Sequence, residues 1–190
     1  MDLQEYIVTN MMEKDEKEVF SKDMKKFLNS VFAPNFAEYL YKLYNDIDIV
    51  EKKRTEDLIA VTYLAKRIEL NTPRFYALSP KERLEFLAHE LIHLAINKGD
   101  TPRLKLLCKQ LWKIYNEEKI KGATPSDIMV SKHGIGKKWI AKNETLPYLM
   151  TNDLNFDYMS EEGKKRVIDA LTRSKLINIG SDFWKKRLSL

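Results

Sequence analysis

Apolar residues recur at helical spacing along most of this chain and alternate strictly in only one short stretch. Val19, Phe20, Met24, Phe27, Leu28 and Val31 predict a helix over roughly Glu16 to Phe32. Pro34 opens a second helix that carries Phe36, Leu40, Leu43 and Tyr44 and ends near Asp46. Leu58 to Tyr63 has strand composition, and Arg67-Ile68-Glu69-Leu70 alternates polar with apolar, so two short strands are expected there. Ser79, Pro80 and Glu82 form a capping box with proline at the first helical position, and Gly99 supplies the stop. Thr101-Pro102 starts a further helix to about Lys119, with Leu104, Leu107, Cys108, Leu111, Ile114 and Tyr115 on one face. Thr124 to Asp127 is another capping box, opening a turn that leads to Lys132-His133-Gly134. A loop is expected around Pro147, then a helix of 161–174 capped by Ser160, then a short one from Asp182 to Leu188. No internal repeat or low-complexity linker interrupts this order. The pattern predicts a predominantly helical α+β fold, with helices packed on a small sheet.

The helix from Ser79 to Asn97 carries the candidate chemistry. His89-Glu90-Leu91-Ile92-His93 sets two imidazoles four residues apart, one turn along one face, with a carboxylate beside the first. Such a pair can hold one zinc ion while Glu90 serves as general base, the arrangement of a zincin-type metal helix. Leu84, Phe86, Leu87, Leu91, Ile92, Leu94 and Ile96 make this helix apolar nearly all round, which predicts burial. Two histidines and a glutamate inside a buried helix need partners, and a metal supplies one.

Size and charge add to this picture. A chain of 190 residues is large enough for a real core, and no apolar run approaches a membrane span. The acidic start, Met1-Asp2-Leu3-Gln4-Glu5, does not read as a secretory signal. Cys108 is the sole cysteine, which excludes an internal disulfide and a cysteine-rich zinc ribbon and points to a cytoplasmic setting. Residues 1–100 hold 15 Lys/Arg against 18 Asp/Glu, a net of −3, and residues 101–190 hold 18 against 10, a net of +8. A basic half points to an anionic partner, nucleic acid first, with a nucleoid or nuclear location if that partner is DNA. Each tryptophan lies beside lysine: Trp112-Lys113, Lys137-Lys138-Trp139 and Trp184-Lys185-Lys186, with Lys105 and Lys109 on the helix of Trp112. These residues are the possible nucleic-acid contacts, although a tryptophan anchoring an amphipathic helix gives the same pattern.

Catalytic zinc usually takes three protein ligands. His133, followed by Gly134 where the backbone can turn, is the favoured third donor. Glu117 or Glu118, in a thermolysin-like arrangement, is the alternative.

Three stretches in order resemble one family, the SprT-like zinc metallopeptidases. Arg67 to Asn71 resembles the strand before that family's metal helix, and Pro73 to Leu94 resembles its short connection and H-E-x-x-H helix. His133-Gly134, with Trp139 downstream, is similar to its His-Gly element, and Leu28 to Phe32 to its early Asn-x-x-Phe. The resemblance covers about residues 20–140. It implies an α/β fold, zinc held by His89, His93 and His133, Glu90 as general base and acid, and proteolysis of DNA-associated proteins. The span from His93 to His133 is longer than in the family, and Trp139 follows His133 by six residues where four is usual. The expectation is therefore a zinc endopeptidase domain over residues 1–145, with a basic helical extension over residues 146–190. A non-catalytic DNA-binding or adaptor protein with a structural zinc site is the other alternative.

Overall fold

Local punctuation sets most element ends in the computed structural model of the chain, which describes residues 14–52, 60–63, 67–118, 138–151, 154 and 156–190. Helix α1 (Lys14–Val31) and helix α2 (Pro34–Asp46) meet at a corner whose proline begins α2. They pack together and bury Met24, Leu28, Val31, Leu40, Leu43 and Tyr44. Strands β1 (Asp48–Lys52), β2 (Ala60–Tyr63) and β3 (Arg67–Asn71) form one sheet in the order β1-β3-β2. β1 runs parallel to β3, and β2 runs antiparallel to it. The protein is thus a predominantly helical α+β fold with a small mixed sheet. β1 has no counterpart in the sequence reading, because Ile49 and Val50 between charged residues give no alternation. Pairing with β3, rather than local propensity, makes it a strand.

Helix α3 (Thr72–Ala77) fills what reads in sequence as a plain connection. Helix α4 (Pro80–Lys98) begins at the expected capping box. Glu82 N–H donates to Ser79 Oγ at 3.3 Å, and Ser79 N–H donates to the Glu82 carboxylate at 2.9 Å. It ends at Gly99, whose φ of 78° is left-handed, a conformation that disfavours a side chain. Helix α5 (Pro102–Glu118) buries all six residues of its expected apolar face.

Helix α6 (Lys138–Met150) corrects the loop expected around Pro147. A proline inside a helix costs roughly 3 kcal/mol, but the surrounding turn buries Leu146, Tyr148, Leu149 and Met150 almost completely. That burial outweighs the lost N–H. The Thr151 N–H and hydroxyl both donate to the Pro147 carbonyl and close the helix end.

After a 3-10 turn (Phe156–Tyr158), helix α7 (Glu161–Ser174) is capped by Ser160 and helix α8 (Asp182–Arg187) by Ser181. One cluster of buried side chains includes residues from α1 through α8. Trp184 of α8 is fully buried, and its indole N–H donates to the Val31 carbonyl at 2.8 Å. Phe32 and Ile177 form an isolated antiparallel bridge. The position 145/146, where the sequence suggests a boundary, falls within α6, and the final helices share the core of the first. Helix α4 sits at the centre of this arrangement, against α1, α2, α5, α6 and β2. No helix of the described residues is long and apolar enough to cross a membrane.

Candidate metal centre

Packing on several sides explains why α4 is apolar nearly all round and why its histidines are shielded. His89 and His93 lie one turn apart, with their Nε2 atoms 3.1 Å from each other. Helix α6 packs along α4 and brings in a third donor from a distant part of the chain. Glu144 Oε2 lies 3.1 Å from His93 Nε2 and 3.6 Å from His89 Nε2. Glu90, between the two histidines, is only 7% exposed.

Burial alone would push the Glu144 carboxyl up, but His93 and His89 more than reverse this and hold it well below the usual carboxylate range. Burial likewise opposes the charged form of His93. Attraction and hydrogen bonding to Glu144, with a smaller contribution from Glu90, still raise its pKa. Both shifts favour a charged Glu144 beside a charged His93.

Geometry and donor chemistry both suit zinc. Bonds of about 2.0–2.1 Å around a tetrahedral ion put neighbouring donor atoms about 3.3 Å apart. The observed separations of 3.1, 3.1 and 3.6 Å bracket that value. Two imidazole nitrogens and a carboxylate are also a familiar catalytic set for this ion. Among the described residues, His89, His93 and Glu144 are the group that could hold a metal.

Of the other candidate ligands, only the two glutamates fall among the described residues. His133 is outside the described residues. Glu117 pairs with Arg166 and lies 3.6 Å from Lys113. Glu118 accepts hydrogen bonds from Ser160 N–H at 2.9 Å and Ser160 Oγ at 3.0 Å, at the start of α7. Both glutamates tie α5 to α7, so the carboxylate alternative moves to Glu144. In the sequence Pro147 reads as a loop signal, which hides Glu144. An acidic residue flanked by Ile140, Leu146, Tyr148 and Leu149 at helical spacing was the available clue.

The tryptophan–lysine pairs divide in the same way. Trp184 cannot stack a base, because the core encloses its ring and Val31 takes its N–H. Trp112 is half-buried, with Lys142 Nζ 4.8 Å from its ring centroid. Lys113 is engaged with Glu117, whereas Lys105, Lys109, Lys185 and Lys186 are exposed. Lys137 and the side chains of Lys138 and Trp139 lie outside the described residues. In comparison with known proteins, the chain matches no family model, no curated protein and no solved structure.

Proposed function

We propose that the chain is a zinc-dependent peptidase that holds its metal with His89, His93 and Glu144. The observation carrying this reading is the convergence of Glu144, from α6, on both histidines of the H-E-x-x-H turn. Held by these three residues, zinc would supply Lewis-acid chemistry to a water and to a peptide carbonyl. Three protein donors are the number usual for catalytic rather than structural zinc.

Glu90 has the chemistry of the proton carrier. It accepts the proton lost by water during attack and delivers it to the departing amine. Its burial within α4 keeps the carboxylate in a low-dielectric setting, where a charged group acts more strongly on its neighbours. A glutamate as third ligand departs from the SprT-like pattern and is closer in donor type to thermolysin-like enzymes. The exposed lysines of α5 and α8 support a secondary reading, in which substrates are DNA-associated proteins. Cys108, a buried free thiol, fits a reducing, cytoplasmic setting.

Glu90→Gln tests the reaction. Cleavage of an unstructured protein substrate should fall at least about a hundredfold, while zinc content stays at the wild-type level. Undiminished cleavage by this variant would exclude Glu90 as the base.

A further inference from the structure

A histidine that binds metal through one ring nitrogen usually donates from the other to a carboxylate, a carbonyl or water, which fixes the ring's orientation. Among the described residues, His89 has no such partner. Its Nε2 faces His93 and Glu144, while no described residue makes a hydrogen bond to its buried Nδ1.

Aromatic rings stand beside it instead. The Phe86 ring lies 6.3 Å from the His89 ring at an interplanar angle of 26°. The Tyr148 ring lies 6.1 Å away at 51°. Both distances fall in the range of attractive ring pairs. Phe86 precedes His89 by three residues on α4, so helix geometry alone brings it near. Tyr148 comes from α6, four residues after Glu144, so one face of that helix presents both the carboxylate and the ring.

We propose that Tyr148 is a positioning residue for His89, and that its ring, with that of Phe86, supplies the orientation normally set by a hydrogen bond. The inference rests on the reading of His89, His93 and Glu144 as the metal site. Tyr148 is 2% exposed and packed within the core cluster, so its ring can hold an imidazole in place. Helix α6 then has two linked tasks: Glu144 supplies a donor, and Tyr148 aims the donor opposite it. A shift of α6 along α4 would disturb both together.

The test compares zinc affinity, by competition with a chromophoric chelator, and the visible spectrum of the cobalt-substituted protein. It uses the full chain as wild type, Tyr148→Phe, Tyr148→Leu and the packing control Leu149→Val. Tyr148→Phe keeps the ring and should bind zinc within about twofold of wild type, with an unchanged cobalt spectrum. Tyr148→Leu should weaken zinc binding by about 10- to 100-fold, as loss of an outer-shell support does, and should alter the cobalt bands. Leu149→Val disturbs the same buried turn and should leave affinity and spectrum as they are. Tight wild-type binding that Tyr148→Leu matches would overturn the proposal while leaving the metal site intact. Equal losses in Tyr148→Phe and Tyr148→Leu would also overturn it, by assigning the role to the hydroxyl. Failure of the wild type to bind zinc or cobalt would remove the metal site and this inference with it.

Discussion

Among single residues, Glu144 and His93 form a buried pair whose charges stabilise one another. Glu144 has a depressed pKa in the fold. Its contribution is therefore present above the ordinary carboxyl value of 4.5 and is lost as pH falls through the lower folded value. His93 has a raised pKa. Its contribution is complete below the ordinary imidazole value of 6.5 and is lost as pH rises through the higher folded value. Both operate together between those two ordinary values. Chelator-treated protein should show this cluster's contribution to Tm greatest at mildly acidic pH and diminished on either side, and Glu144→Gln should flatten that profile. A wild-type profile indistinguishable from that of Glu144→Gln would show that the pair contributes nothing. The one-turn placement of His89, Glu90 and His93 was legible from sequence because spacing is a property of one helix. Glu144 was not, since its place depends on how α6 lies against α4, and spacing along a chain does not encode that.

At the scale of elements, the readable features were those with local causes. The Ser79 capping box, Pro34, Pro102, the Ser160 cap and Gly99 each satisfy or interrupt backbone groups within a few residues, and the helix ends fall where they predict. Ser79→Ala should lower stability by about 1 kcal/mol, read as a shift in urea midpoint with an unchanged slope. No shift would mean that the cap adds nothing to α4. β1 and α6 were missed for the opposite reason. β1 exists because β3 offers it an edge, and α6 survives Pro147 because the turn around it is buried. Long-range packing overrides local preference in both.

At the scale of the whole molecule, the shared core makes α8 part of the fold that holds the site. Arg187 of α8 lies 3.2 Å from Glu85, one turn before His89 on α4, and Trp184 closes over α1. Trp184→Ala should cost about 3–5 kcal/mol, with fluorescence and circular dichroism reporting one coincident unfolding transition. A small, local loss would mean that the final helices are peripheral. The charge asymmetry was readable from composition, but which tryptophans face solvent was not, because an amphipathic pattern does not show how deeply its edge is covered. If α4 and α6 together hold a metal, the zinc content of the purified full chain follows Glu144. After dialysis, elemental analysis should find about one zinc per chain in wild type and Glu117→Ala, and little in Glu144→Gln. Zinc retained at the wild-type level by Glu144→Gln, and lost instead from His133→Ala, would assign the third donor to His133 and exclude Glu144.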